Sequence, residues 1–473
     1  MRTAAAGSGT SPRALGRRLA PLLVAMALQG LILWVPVEKL FMSEIGFTPA
    51  SVGVMAAAYA AVVPLLEVPS GVLADRWSRN RIMVLACVAL LVSSTIGGLS
   101  RNVATYVVAA MVLGAYFALS SGTVDSIVYD TVLEETGSSE LYEKWIGRVR
   151  MVESGAFVIG ALAGGVLAEA ASARVTYFVT LPFVAAAIVA FLRFDEPRLH
   201  RAVEPTSLRS HVALTFRTIT RRWEVLRVLL LSALVAMLSQ AVFEFGPLWL
   251  VALAAPAVLF GPYWAALMST LGLGGYLAAK LDLSRTRVVV ALAVVAPAAT
   301  VTIALTRSLA AVVIAQTVLA LLLAVVAISA GKLLHDAVPS TIRAGVSSGA
   351  GTASWLFFLP FSLAIGWLGR EHGVPQTGWV LTGAAVLVGA LLVVSTRLAR
   401  PAAVEPAVPP ADLACQELVD LVTDLLDGVL PPGWREGVES HLADCDGCAE
   451  YVRQIRETID AVGAIRPMPE RRS

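Results

Sequence analysis

The sequence predicts an all-α membrane protein: twelve transmembrane helices in two halves of six, followed by a small helical zinc-binding cytoplasmic domain. Three observations predict it. Apolar runs of about 20 residues recur along the first 400 positions, each long enough to cross a ~30 Å hydrocarbon layer as a helix. The chain of 473 residues is 57% hydrophobic and 15% charged, where a soluble domain is nearer a quarter charged. Three of the four cysteines, Cys415, Cys445 and Cys448, cluster in a polar tail, while Cys87 lies within an apolar run. The runs are Leu-, Ala- and Val-rich without strict alternation, which argues for a helix bundle and against a β-barrel.

Taken in order, the spans fall near 19–41, 50–74, 82–100, 103–128, 147–170 and 175–193, then 228–250, 257–280, 288–306, 309–333, 345–368 and 377–397. The domains follow: a cytoplasmic N-terminal segment 1–18, a six-helix bundle 19–193 and an Arg-rich central loop 194–227. A second six-helix bundle 228–397, a Pro-rich linker 398–411 and a polar domain 412–465 complete the chain. Two sets of six suggest a duplication. The first apolar segment is full length, so no cleavable signal is expected there.

Cations are retained on the cytoplasmic side during insertion. Placing the N-terminus inside puts Arg76, Arg79, Arg81, Lys144, Arg148, Arg285, Arg287 and Arg343 in cytoplasmic loops, leaving Arg101, Arg174 and Arg307 opposite. Both termini are then cytoplasmic. The net charge of +2 gives no reason to expect direct nucleic-acid binding, and no G-x4-G-K-(S/T) phosphate loop occurs.

Between spans two and three stands Gly71-Val-Leu-Ala-Asp75-Arg76-Trp-Ser-Arg79-Asn-Arg81, which resembles the signature loop of the major facilitator superfamily, G-x-L-A-D-R-x-G-R-(K/R), with Ser78 in place of Gly. Gly71 permits close helix contact, and Asp75 can pair with the arginines. Lys280-Leu-Asp282-Leu-Ser-Arg285-Thr-Arg287 is similar to an eroded second copy. In span five, Gly147, Gly160, Gly164 and Gly165 resemble the antiporter motif of that superfamily, with Ala156 and Ala161 replacing Gly and Pro. Drug exporters of the superfamily often carry an arginine in span four, where this chain has Ala110 before Gly114.

Ionisable groups inside spans are costly and normally face the bundle interior. Asp130, near the cytoplasmic end of span four, is expected to join Arg76 or Arg79 in a gating cluster. Glu67, Asp125 and Glu244 are the candidates for proton coupling or for binding a cationic substrate, protons being the expected coupling ion. Trp249, Trp264, Trp355 and Trp379 are expected mainly in the interfacial belt.

In the tail, Cys415-x25-His441-x3-Cys445-x2-Cys448 supplies three thiolates and an imidazole, the set that closes a tetrahedral zinc site. His441 and Cys445 are one helical turn apart, and Cys415 shares an apolar stripe with Leu418, Val422 and Leu425. The pattern resembles the zinc-finger domain found in anti-sigma factors. That resemblance implies a structural Zn2+ and a partner-binding role, a sigma factor among the candidates.

These readings predict no enzyme. They predict a transporter in the bacterial inner membrane, surrounded by lipid, exporting a small drug-like or metabolite molecule by proton-coupled alternating access. Two alternatives stay open: a membrane sensor that signals through the tail to a transcription factor, and small-molecule uptake.

Overall fold

The computed structural model describes residues 12–76, 78–138, 141–197, 223–281, 285–338, 343–398, 415–426, 430 and 432–463, in two compact units, 1–397 and 398–473. The larger unit is all helical: α1 Pro12–Gly30, α2 Glu38–Glu44, α3 Pro49–Arg76, α4 Arg79–Leu99, α5 Val103–Ser120, α6 Thr123–Thr136, α7 Tyr142–Ala170 and α8 Ala173–Leu192. After the central segment come α9 Trp223–Ala252, α10 Phe260–Lys280, α11 Thr286–Leu305, α12 Leu309–Asp336, α13 Arg343–His372 and α14 Gly378–Leu398.

Among the described residues, 11 segments are long and apolar enough to cross a membrane. The span expected at 19–41 is absent from that set. Its α1 carries Arg13, Arg17 and Arg18 and stops at Gly30, and residues 31–37 turn before the short α2 begins. A side chain on Gly30 would meet the Glu153 carbonyl at 2.7 Å, so the chain breaks where it crosses another backbone. The broken segment is satisfied from inside the protein: Leu33 N–H donates to Thr180 Oγ1 (3.1 Å), and the Trp34 indole donates to Ser94 Oγ (3.0 Å). Irregular backbone at membrane depth needs such buried partners. A second interruption separates α5 from α6 at Gly122, whose φ of +66° lies in the left-handed region. Asp125 and Asp130 therefore sit on their own short helix.

Small residues set the closest contacts, as expected where lipid offers no hydrophobic drive and packing must hold helices together. A Cβ on Gly53 of α3 would lie 2.5 Å from the Ser362 carbonyl and 2.9 Å from Gly366 of α13. On α10, a Cβ on Gly261 would lie 2.7 Å from the Ala161 carbonyl of α7. Outward faces carry Leu65, Leu99, Val166, Leu192, Leu305 and Ile314, each more than half exposed. Such a surface suits lipid and not water.

The smaller unit holds α15 Cys415–Leu426, α16 Pro432–Asp444 and α17 Asp446–Gly463. Leu418, Val422, Leu430, Val438, Cys448 and Val452 form its core.

Candidate functional site

A cavity of about 340 Å³ lies within the bundle. Tyr59, Phe117, Phe157, Phe243 and Trp264 supply aromatic walls, and Glu38, Glu153 and Glu244 supply carboxylates. The Trp264 indole nitrogen is buried without a hydrogen-bond partner, leaving an unused donor in the wall.

One charge cluster forms part of that wall. Lys39, 3% exposed, donates to Glu244 Oε1 at 2.5 Å and to Glu38 Oε2 at 2.7 Å. The Tyr59 hydroxyl donates to Glu244 Oε2 (3.0 Å) and accepts from Gln240 Nε2 (2.7 Å). The Tyr106 hydroxyl donates to Glu38 Oε1 (2.8 Å) and lies 2.7 Å from the Tyr177 hydroxyl. Helices α2, α3, α5, α8 and α9 each contribute a member. Elsewhere on the wall, Gln29 Nε2 donates to the Tyr116 hydroxyl (2.6 Å).

Of the three sequence-selected carboxylates, Glu244 alone lines this cavity. Glu67 accepts from Ser121 Oγ at 3.3 Å, and Asp125 pairs with Arg150 at 2.7 Å, both away from the lining. Asp130 pairs with Arg79. The backbone of Gly71, Asp75 and Arg76 is helical, and their side chains lie outside the described residues, as does Asp282 of the eroded second copy. Arg81 lies in the first turn of α4, its N–H donating to Ser78 Oγ at 3.1 Å. Ser78 also donates to Glu196, which accepts the Arg79 N–H at 2.6 Å. The departure from Gly at this position thus caps α4, and the Glu196 carboxylate complements its positive helix end.

Three antiporter-like glycines stand at backbone contacts. A Cβ on Gly164 would reach the Leu33 carbonyl at 2.0 Å, one on Gly160 the Leu31 and Ile32 backbone at 3.3 Å, and one on Gly165 the Gly261 nitrogen at 3.0 Å. Gly147 faces open space. Trp249 is fully buried and Trp264 lines the cavity, so neither occupies the interfacial belt, whereas Trp379 is exposed.

Sequence reasoning missed Glu38, Lys39 and Glu153. Glu153 sits inside an apolar span and falls under the rule that selected Glu244. Glu38 and Lys39 were masked as neighbouring opposite charges near a span end, and only the broken helix turns both inward.

In the tail, the ligand atoms of Cys415, His441, Cys445 and Cys448 all lie within 4.8 Å of one another. Cys415 Sγ and Cys445 Sγ are 3.9 Å apart, close to the ~3.8 Å edge of a tetrahedron built on Zn–S bonds of about 2.3 Å. His441 Nε2 is buried with no hydrogen-bond partner, and a metal ion held by the three cysteines would satisfy it. Burial pushes the Cys448 thiol up to about 12, while the Cys448 backbone N–H holds the Cys445 thiol below the ordinary value. The residues fit a Cys3His metal centre.

The comparisons bear on the family of each part of the chain. A zinc-finger family profile matches residues 415–449. Multidrug resistance protein 1 of Bacillus subtilis (strain 168) is 27% identical over 172 residues, which is 36% of this chain and 43% of that protein. Among solved structures, the nucleoside transporter NupG is 12% identical with a TM-score of 0.66, covering 80% of this chain and 98% of that one. A bacterial homologue of the human lysosomal transporter Spinster, inward-facing and unoccupied, is 16% identical with a TM-score of 0.61, covering 82% and 95%. A D-xylose–proton symporter is 14% identical with a TM-score of 0.58, covering 79% and 97%. These structural likenesses speak to the fold. The sequence profile of the Major Facilitator Superfamily matches residues 19–314, more than half of the sequence, and the chain therefore belongs to this superfamily of membrane transporters, which are not enzymes.

Proposed function

We propose that the chain is a secondary active exporter of small amphipathic or cationic molecules, coupled to protons and working by alternating access between two six-helix halves, 19–193 and 228–397. One observation carries this reading. An aromatic cavity within the bundle has carboxylates in its wall, and one of them, Glu244, is tied to a buried lysine. Carboxylates buried in a bundle in this way attract cations and can take up protons. The multidrug resistance relative supports the direction and the substrate class. The Arg79–Asp130 pair acts as a gate contact beside the signature loop. The protein resides in the bacterial inner membrane with both termini in the cytoplasm, and its tail holds one structural Zn2+ through Cys415, His441, Cys445 and Cys448.

The test uses everted membrane vesicles with ethidium as probe. Ethidium-dependent dissipation of a proton gradient is expected in the full chain, lost with Glu244→Gln, and retained after deletion of residues 405–473. Glu67→Gln and Asp125→Asn, off the cavity lining, are expected to keep most of it. Flux of the opposite sign would favour uptake.

A second reading has its own support: the tail is a compact unit with its own core and metal-ligand set. In that reading the bundle senses a ligand and the tail engages a transcription partner such as a sigma factor. If a broad panel of compounds drives no flux while tail deletion alters transcription, sensing replaces export.

A further inference from the structure

Lys39 is shared by two carboxylates drawn from distant parts of the sequence, Glu38 beside it and Glu244 on α9. Each of the four carboxylate oxygens meets one donor: Lys39 and Tyr106 serve Glu38, and Lys39 and Tyr59 serve Glu244. With both acids ionised the group carries one surplus negative charge inside an apolar bundle, an unfavourable state at that depth. A single added proton makes it neutral.

Where that proton sits decides what it does. On Glu38 it would leave the tie between α2 and α9 intact. On Glu244 it cancels the attraction to Lys39, which stays held by Glu38, and the new O–H donates to the Tyr59 oxygen in place of the bond it received. The groups facing Glu244 are Lys39 and Glu38 from α2 and Tyr59 from α3, with Tyr106 of α5 and Tyr177 of α8 behind Glu38. Arg174 is engaged elsewhere, over the Phe41 ring at 4.9 Å and on the Gly98 carbonyl at 2.6 Å.

We propose that Glu38, Lys39 and Glu244 form a one-proton exchange site, and that protonation of Glu244 unties α2 from α9, so that proton loading and loosening of this end of the bundle are one event. The idea rests on the transport reading for its purpose, and its test does not. No covalent change occurs beyond the carboxylate taking up a proton from water.

The experiment is hydrogen exchange of the full-length chain in detergent micelles, followed over residues 38–47 from about pH 5 to about pH 8 and corrected for intrinsic exchange chemistry. In the unaltered chain, protection is expected to fall on acidification by about tenfold. In Glu244→Gln it should be low and flat across the range. Tyr59→Phe removes a donor to the carboxylate while keeping the lysine pair, and should move the midpoint to higher pH by roughly one unit. A pH-independent profile in the unaltered chain, or a pH response that survives Glu244→Gln, overturns the site, and an unmoved midpoint in Tyr59→Phe overturns the assignment to Glu244. Ethidium-driven proton flux, measured alongside, separates the two ideas. Flux with a flat exchange profile refutes this site and spares transport, whereas a proper exchange profile without flux does the reverse.

Discussion

Two polar clusters among the described residues, one buried in the bundle and one at the partly exposed junction of the tail helices, meet the same electrostatic problem in opposite ways. In the bundle, two carboxylates converge on a cation that the chain itself supplies, Lys39. In the tail, three thiols and an imidazole converge with no cation among them, and the His441 Nε2 atom is left without a partner. In the proposed exchange site, the first cluster changes its charge by one proton. The second offers four protein ligands to a metal supplied from outside, a set that suits a structural metal and would leave no open position for chemistry.

The largest expected effect lies in the cage. Metal analysis of the full chain should find one zinc ion per chain, and Cys448→Ser should reduce that to a small fraction, with residues 415–463 becoming protease-sensitive. A domain this small depends on such a staple. Because thiols must shed protons to ligate, zinc retention should also fall as pH drops through the mildly acidic range. A tail that holds its helices and its protease resistance after exhaustive chelation would break the comparison at this end.

The bundle cluster should respond next. Lys39→Ala leaves two carboxylates buried without their cation and is expected to destabilise by about 3–5 kcal/mol, read as a fall in thermal unfolding temperature in detergent. Replacing all three charges together, Glu38→Gln, Lys39→Met and Glu244→Gln, should recover most of that loss. If the single and triple variants are equally unstable, the cluster is held by shape and not by charge balance.

Why one cluster was legible and the other was not follows from sequence distance. Cys415 to Cys448 is a local pattern in which the separations themselves encode the site, and the helical turn from His441 to Cys445 is set by one backbone bond of 2.9 Å. The Arg79–Asp130 pair was legible because a motif loop supplied the arginine and a lone acid in a span supplied its partner. Lys39 and Glu244 are 205 residues apart, and no spacing rule joins them. The helices themselves were read well, since length and hydropathy are local properties. The failures came where tertiary contact overrode them: Gly30 ends a helix inside an apolar run because it lies against the Glu153 carbonyl, and Gly122 divides what reads as one span.

The antiporter-like stripe gives a smaller and sharper test. At Gly164 a methyl would need backbone movement, since its carbon would fall 2.0 Å from the Leu33 carbonyl, while at Gly147 nothing lies within 4 Å. Gly164→Ala should cost about 1–3 kcal/mol and Gly147→Ala no more than about 0.5 kcal/mol, by the same thermal assay. Since Leu33 belongs to the broken segment that leads into Glu38, Gly164→Ala should also disturb the Lys39 cluster. Equal effects at the two glycines would mean that the stripe is composition and not contact.

The smallest effect concerns the one departure from the signature loop. Ser78 accepts the Arg81 N–H and donates to Glu196, which in turn receives the Arg79 N–H. A cap of this kind contributes about 1 kcal/mol against Ala and only a few tenths against Gly. Ser78→Ala should therefore lower stability by about 1 kcal/mol, and Ser78→Gly, which restores the family pattern, by less. The reason for the asymmetry is that Gly lets the peptide groups at the helix start reach water or Glu196 directly, whereas the Ala methyl shields them and offers no acceptor. If Ala and Gly behave alike, the hydroxyl is not capping α4, and the Glu196 carboxylate alone holds the helix start beside Arg79. Glu196→Gln would then be the more damaging change, and the Arg79–Asp130 pair would owe its position to a charge at a helix end, placing it with the Lys39 cluster, whose cation the chain supplies itself, and apart from the cage in the tail.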